Sequence, residues 1–145
     1  MKETVSRLEW DERFLAMARL VAGWSKDPST QVGSVIVDQN NRIVSLGYNG
    51  PPRGVKDGYS DRDQKIRRTI HAEKNAASFA KCDLTGCTIY VTHPTCSPCA
   101  AFAIQQGIKT VVFYEGNSDF LSRWQEDYDE AMAMYAEAGV EVVVY

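Results

Sequence analysis

Two of the four cysteines of this 145-residue chain lie in the stretch HPTCSPCA, where Cys96 and Cys99 are three positions apart. At this spacing on a helix the side chains share one face, so both sulfurs can bind the same metal ion. The positive end of a helix, together with a metal ion, lowers the pKa of a thiol and favours the thiolate that ligation needs. The pair alone is a weak signal, because a redox pair or half of a structural zinc site has the same spacing.

A histidine and a glutamate lie at the start of another predicted helix, in the stretch TIHAEKNAA. Together with the two cysteines, His71 makes three zinc ligands. Structural zinc is closed by four protein groups, whereas catalytic zinc keeps one position for water. If His71 precedes the first helical turn, its side chain and that of Glu73 can face one pocket. There the Glu73 carboxylate can carry a proton from zinc-activated water to a leaving group.

Other interpretations of the cysteine pair stay open. A thioredoxin-like redox pair leaves the His-x-Glu stretch unexplained. A closed structural zinc site requires a fourth ligand, for which His93, Cys82 and Cys87 are the candidates. We expect His93 to be a pocket residue, and Cys82 and Cys87 to be buried or half-buried thiols.

Hydrophobic periodicity and turn residues predict the elements that position these groups. The polar DQNN joins the first two strands as a hairpin, and residues 50–67, rich in glycine, proline and charge, are expected to form a long loop. The basic run KIRR at 65–68 is expected to be a solvated helix face. Helices are predicted over 10–24, 71–81, 97–107 and 119–138, and strands over 31–37, 42–49, 88–92, 110–115 and 140–145.

A hairpin followed by alternating helices and strands predicts a mixed sheet with helices on both faces, in a single domain over 1–145. Adjacent strand-to-helix turns meet at the carboxyl edge of such a sheet, where ligands bind. His71 can therefore lie beside Cys96 and Cys99.

Composition argues against several classes of function. The net charge of -3 lacks the basic excess typical of nucleic-acid binding. No apolar run approaches the roughly 20 residues of a membrane span, and the first residues lack the apolar core of a signal peptide. We therefore expect a cytoplasmic protein that binds neither membrane nor nucleic acid.

His-Ala-Glu followed by Cys-x-x-Cys, each opening a helix, is the signature of zinc nucleobase deaminases, in which the glutamate is a proton shuttle and not a ligand. There is one departure: Thr95 precedes the first cysteine where the signature has proline, and Pro94 lies one position earlier. WSKDPSTQVGSVIV, GYNGPPRG, IHAEKNAA and GCTIYVTHPTCSPCAAFAIQQGIKTVVF together resemble the deoxycytidylate (dCMP) deaminase family, from about residue 10 to the end.

This resemblance implies a three-layer α/β/α cytidine-deaminase-like fold with a central mixed sheet of about five strands. It implies zinc-dependent hydrolysis of dCMP to dUMP and ammonia, which feeds thymidylate synthesis. It also implies activation by dCTP, inhibition by dTTP, and Mg²⁺ bound with a triphosphate effector. The resemblance further implies a homo-oligomer, either a dimer of dimers or a hexamer.

The resemblance also implies roles in catalysis. Zinc on His71, Cys96 and Cys99 activates the water that attacks C4 of cytosine. Glu73 protonates ring N3 and then the departing amine, while the backbone amide of Ala72 holds the base.

Further roles in binding follow from the same resemblance. Asn49 contacts the sugar hydroxyl, unless it is a turn residue in left-handed conformation. Ser25 and Lys26 match positions near the 5′-phosphate, and Arg123 and Trp124 lie where a loop can close over it. Many relatives carry arginine at the positions of Ser29 and Thr30, so the anion contacts can differ here. The predicted effector site consists of Asn49, Gly50, Arg53 and Gly54.

Three alternative functions remain. The same zinc core serves deaminases of another cytosine nucleotide, such as dCTP, and of nucleic-acid bases, such as the adenosine of tRNA. A zinc-stabilised binding module would have four ligands and would tolerate the loss of Glu73.

Overall fold

The computed structural model describes residues 4–145. Within them, no helix is both long and apolar enough to cross a membrane. The helices are α1 (Arg7–Ala22), α2 (Arg62–Arg68), α3 (Ala72–Ala80), α4 (Ser97–Gln105) and α5 (Ser118–Ala138), and the strands are β1 (Gly33–Val37), β2 (Ile43–Tyr48), β3 (Thr88–Val91), β4 (Thr110–Phe113) and β5 (Glu141–Val144).

The five strands form one mixed sheet in the order β2-β1-β3-β4-β5. β1 is antiparallel to both of its neighbours, β2 and β3, whereas β3, β4 and β5 are parallel to one another. The predicted hairpin and the predicted mixed sheet of five strands are therefore confirmed. Because β3 and β4 are parallel, the loop between β3 and α4 lies at their carboxyl edge, and it carries Cys96.

Helices cover both faces of the sheet, which gives three layers. On one face α1 buries Phe14, Leu15 and Ala18 against side chains of β1, β3 and β4. On the other face α3, α4 and α5 form a larger core with the sheet, which includes Ala76, Ala100, Ala103, Ala131 and Tyr135. The small side chains of α3 and α4 allow both helices to approach the strands closely.

The structure differs from the sequence prediction in residues 50–67, where a single long loop was expected. The second part of this segment forms α2, which begins after the N-cap residue Asp61, whose side chain accepts a hydrogen bond from the Gln64 amide. No residue of this seven-residue helix is buried. It therefore lacks the apolar periodicity by which longer helices are recognised in a sequence.

Glycine allows α3 to lie directly on β2. A Cβ atom added at Gly47 would lie 2.5 Å from the backbone nitrogen of Ala76 and 2.8 Å from the backbone oxygen of Ala72. No side chain fits between these two backbones. The position of the first turn of α3 is therefore fixed by contact with the sheet.

A buried carboxylate joins the two ends of the described chain. Asp11 of α1 is 2% exposed, and it accepts hydrogen bonds from the hydroxyls of Tyr90, at 2.7 Å, and Tyr145, at 2.6 Å. Burial, aided by the neighbouring Asp11, raises the pKa of Tyr145 to about 12. Burial and the hydrogen bond to Asp11 also raise the pKa of Tyr90, so both tyrosines stay protonated donors at neutral pH.

Candidate active site

His71 and Cys96 occupy the same kind of position in the fold, since each is the N-cap residue of a helix. His71 precedes α3 with φ −68° and ψ 154°, and Cys96 precedes α4 with φ −74° and ψ 163°. Neither side chain makes a capping hydrogen bond. Both extended N-cap residues therefore keep their ligating atoms free, and His71 departs from helical geometry in the way needed to share a pocket with Glu73.

A short backbone bridge fixes the approach to His71. The amide of Gly50 donates to the carbonyl oxygen of Ile70 at 3.1 Å, and the amide of Ile70 donates to the carbonyl oxygen of Gly50 at 2.8 Å. Because Gly50 follows β2 closely, the residue before His71 is attached to the edge of the sheet. This attachment positions the start of α3 next to the β3–α4 loop.

The three predicted ligands converge. The Nδ1 atom of His71 lies 3.2 Å from the Sγ atom of Cys99 and 3.4 Å from that of Cys96, and all three ligand atoms lie within 4.8 Å of one another. His71 is exposed, Cys96 half-buried and Cys99 buried. One imidazole and two sulfurs at these distances fit a zinc ion and leave one coordination position for a small molecule.

The other candidate ligands lie elsewhere. Among residues 4–145 neither His93 nor Cys82 nor Cys87 joins the cluster. Cys82 is exposed, contrary to the buried or half-buried thiol expected, whereas Cys87 is buried. The His93 ring pairs with the Thr92 hydroxyl at 2.9 Å and lines a cleft beside the cluster.

The three ligating groups perturb one another's protonation. Hydrogen bonds from Cys99 and from the His71 ring lower the pKa of Cys96 to about 4. The contact with Cys96, together with burial, raises the pKa of Cys99, and the Cys96 sulfur raises the pKa of His71. Metal ligation uses thiolates and neutral imidazole, so a cation that binds here would displace the protons held by these three groups.

Glu73, the second residue of α3, is only 5% exposed. Burial raises the pKa of its carboxyl. Cys96 raises this pKa further, whereas His71 and a hydrogen bond with Cys99 lower it. Its side chain lines the same cleft as the predicted ligands His71 and Cys96. A buried carboxyl with a raised pKa next to a metal site is suited to accepting and returning a proton near neutral pH.

The cleft has a volume of about 510 Å³. Of the predicted substrate-binding residues, Asn49, Ala72 and Trp124 line it, whereas Ser25, Lys26 and Arg123 do not. It is also lined by residues that the sequence analysis did not assign to substrate binding, namely Asp27, Thr30, Val32, Arg62, Lys65, Ile66, Thr69, Val91, His93, Pro94, Pro98, Phe120 and Asp127.

The amide of Asn49 is held by the loop that follows α1. Its Nδ2 donates to the carbonyl oxygen of Thr30 at 2.9 Å, and its Oδ1 accepts from the Val32 amide at 2.9 Å. Asn49 has no positive φ, unlike Asn41, so it is not a left-handed turn residue. The buried Ser25 hydroxyl donates to the Asn49 carbonyl oxygen at 2.8 Å, which gives Ser25 a structural contact behind the cleft wall.

Two basic residues of α2 line the cleft, and the sequence analysis missed both. The Lys65 ammonium group forms an ion pair with Asp27 at 2.8 Å, and their side chains are 20% and 4% exposed. Although burial opposes it, bonds from Lys65 and from two backbone amides lower the pKa of Asp27. Arg62 is exposed and forms no ion pair among residues 4–145. The basic run KIRR contains Lys65 and could have indicated part of this wall, whereas Arg62 lies before the run.

A second cavity of about 900 Å³ lies on the other side of α2. Of the predicted effector-binding residues, Gly54 lines it, whereas Asn49, Gly50 and Arg53 do not. The Arg53 guanidinium lies 5.7 Å from the ring centre of Phe79 instead. The cations that line this cavity are Lys56, Arg67 and Arg68.

Comparison with known proteins agrees with this geometry. Residues 8–115 match the cytidine and deoxycytidylate deaminase zinc-binding region. An uncharacterised deaminase from the luxG 3′ region of Aliivibrio fischeri is 54% identical over 136 residues, with 92% of each chain covered. Human deoxycytidylate deaminase is 41% identical over an alignment 145 positions long, which covers 92% of this chain and 78% of the human protein.

A solved structure extends the comparison to three dimensions. The dCMP deaminase of cyanophage S-TIM5 in complex with dCMP and dUMP superposes with a TM-score of 0.80 at 25% identity, over 97% of this chain and 100% of the phage chain. The fold, the zinc-ligand cluster and the sequence match all lead to the same assignment. The chain belongs to the cytidine and deoxycytidylate deaminase family of zinc-binding enzymes.

Proposed function

We propose that this protein hydrolyses dCMP to dUMP and ammonia. The observation that carries the proposal is the convergence of His71, Cys96 and Cys99 beside the buried Glu73 in one cleft. The substrate is inferred from human deoxycytidylate deaminase and from the phage enzyme that binds dCMP and dUMP. The product dUMP would feed thymidylate synthesis.

The reaction replaces the amino group at C4 of cytosine by oxygen from water. A C–O bond forms, the C4–N bond breaks, and ammonia leaves. Zinc, when bound by the three ligands, supplies Lewis acidity that lowers the pKa of water to roughly 7. Glu73 accepts one proton from that water and donates it to ring N3; it then accepts the remaining hydroxyl proton and delivers it to the departing amine.

Backbone geometry supports a role for Ala72 in holding the base. Ala72 is the first residue of α3 and lines the cleft. The first amides of a helix have no acceptor within the helix, so the Ala72 amide can donate to the base. Asn49 lines the same cleft with its amide oriented by the loop, and we assign it to the sugar hydroxyl.

The decisive experiment measures ammonia release by the zinc-loaded protein on dCMP, dCTP, deoxycytidine and a cytosine-containing oligonucleotide. We expect turnover of dCMP and slower turnover of deoxycytidine. Preference for dCTP would change the nucleotide assignment. Turnover of the oligonucleotide alone would overturn the free-nucleotide assignment but would leave the zinc chemistry intact.

Arg62 is the strongest candidate to bind the 5′-phosphate. A nucleotide in the cleft brings a negative charge, and the charge of Lys65, the other cation of the wall, is already paired with Asp27. Lys26 is exposed and paired with Asp57 at 2.7 Å, and Arg123 lies outside the cleft lining. Arg62 therefore offers the uncompensated charge.

We expect Arg62→Ala to raise the KM for dCMP roughly 10- to 100-fold, the cost of a lost hydrogen bond to a charged group. The KM for deoxycytidine, which has no phosphate, should change little. Steady-state kinetics on both substrates measure this difference, with Lys26→Ala and Arg123→Ala as matched comparisons. A rise found only in Arg123→Ala would assign the phosphate to α5 instead.

We further propose that the second cavity binds the effectors dCTP and dTTP. Three cations favour a triphosphate with its Mg²⁺, and Gly54, with φ of 82° and no Cβ atom, lets a ligand approach the backbone closely. The Arg67→Ala/Arg68→Ala double variant should keep its basal rate and lose activation by dCTP. Retained activation would place the effector elsewhere, as at an interface of the homo-oligomer that the family resemblance implies.

A further inference from the structure

Both residues next to Cys96 are hydrogen-bonded to the same helix, α5. On one side the Thr95 hydroxyl pairs with the Tyr135 hydroxyl at 2.8 Å, and these two residues are 2% and 0% exposed. On the other side the Ser97 amide donates to a carboxylate oxygen of Asp127 at 2.9 Å, and the Ser97 hydroxyl donates to the second oxygen. Cys96 thus lies between two attachments to α5.

Asp127 satisfies one of the free backbone amides at the start of α4. The N-cap residue of a helix usually accepts a hydrogen bond from one of the first backbone amides. The N-cap residue of α4 is Cys96, whose side chain makes no such bond. Because Asp127 accepts from the amide of the first residue, Ser97, this amide is satisfied from outside the helix and not by Cys96. The Cys96 sulfur can therefore turn to the metal.

The Thr95–Tyr135 pair lies at the position where this chain has threonine and the deaminase signature has proline. Proline before the first cysteine would fix the backbone φ at that position through its ring. Threonine has no ring, so its backbone needs another constraint. A buried hydroxyl pair supplies one, because leaving either hydroxyl unpaired in the core is costly.

We propose that α5 holds Cys96 in its ligating position through Tyr135 and Asp127. Both are positioning residues, since each acts on the neighbour of a ligand. The proposal rests on zinc binding at this cluster, and it is independent of which nucleotide is the substrate.

The test is the zinc affinity of the substrate-free protein, measured by competition with a chromogenic chelator. Tyr135→Phe and Thr95→Val should each weaken zinc binding roughly 10- to 100-fold, the range seen when partners of metal ligands are removed. The Thr95→Val/Tyr135→Phe double variant should be no weaker than the worse single variant, because both changes remove the same bond. Asp127→Ala should also weaken binding.

Matched controls separate this role from general packing. Tyr128→Phe makes the same change on α5 at a hydroxyl without a hydrogen-bond partner among residues 4–145, and Ser122→Ala removes an exposed hydroxyl of the same helix. Both should bind zinc as the parent does. Thr95→Ser, which keeps the hydroxyl, should retain most of the zinc affinity that Thr95→Val loses.

Thermal unfolding with and without zinc gives a second readout. A residue that only packs would lower the unfolding midpoint equally in both states. A positioning residue must also reduce the rise in midpoint that zinc produces, because ligand stabilisation depends on affinity. Unchanged zinc affinity and an unchanged zinc-induced rise in Tyr135→Phe and Asp127→Ala would overturn the proposal, whatever the variants do to turnover.

Discussion

Glu73→Gln is expected to bind zinc as the parent does and to lose deamination. Glutamine keeps the shape and the polar contacts of the side chain but cannot accept and return a proton. Loss of a general acid–base group costs roughly 100- to 10,000-fold in rate. Ammonia release at saturating dCMP measures the rate, and elemental analysis of the purified variant measures its zinc content.

The stability of this variant separates a chemical effect from misfolding. Burial raises the pKa of the Glu73 carboxyl in the folded protein, so the folded state favours the protonated form. The corresponding stability is present at low pH and is lost as pH rises through the folded pKa. Glutamine does not ionise, so Glu73→Gln should be at least as stable as the parent at neutral pH.

Glu12→Gln is the control, because Glu12 is an exposed carboxylate of α1 far along the chain from the cluster. It should change neither rate nor zinc content. An unchanged rate in Glu73→Gln would contradict the proton-shuttle role, whereas a parent that binds zinc without any turnover would favour a non-enzymatic zinc module. Loss of zinc in this variant would show that Glu73 supports the ligands directly.

Gly47→Ala is expected to reduce both stability and zinc binding. The added methyl group would lie 2.5 Å from the Ala76 backbone nitrogen, so α3 must move away from β2. Overpacking of this kind costs about 1–3 kcal/mol of the free energy of unfolding. Because His71 and Glu73 lie at the start of the displaced helix, zinc affinity and kcat should fall as well. Urea denaturation and chelator competition measure the two effects.

The matched control is Gly58→Ala, since nothing lies within 4 Å of a Cβ atom added at Gly58. This variant should keep the parent's zinc affinity and stability to within about 0.5 kcal/mol, as for most surface substitutions. A stable Gly47→Ala protein with full zinc affinity would show that α3 can shift without moving the ligands. The contact with β2 would then not position the site.

The zinc site could be predicted from the sequence because each of its parts has a local signal. Cys96 and Cys99 are separated by less than one helical turn, and His71 and Glu73 both lie where a helix begins. The remaining step, bringing the two helix starts together, follows because β2 and β3 are both antiparallel to β1 and therefore end at the same edge of the sheet. These signals depend on spacing and on helix geometry, which a single sequence shows directly.

The walls of the cleft lacked such signals. α2 buries no residue, so hydrophobic periodicity could not reveal it, and Arg62 and Lys65 were not assigned to the cleft. Ser25 and Lys26 follow α1, but their directions depend on the loop contacts of Asn49 and Asp57. Tertiary contacts of this kind are long-range and have no counterpart in the local pattern.

The position of α2 between two cavities has a thermodynamic consequence. Arg62, Lys65 and Ile66 line the cleft, whereas Gln64, Arg67 and Arg68, on the same short helix, line the second cavity. If a ligand in one cavity shifts α2, it also changes the affinity of the other cavity for its own ligand. Linkage makes this exchange reciprocal: if an effector strengthens dCMP binding by some factor, dCMP strengthens effector binding by the same factor. Regulation through this helix would therefore make the enzyme's response to its effector depend on how much substrate is present.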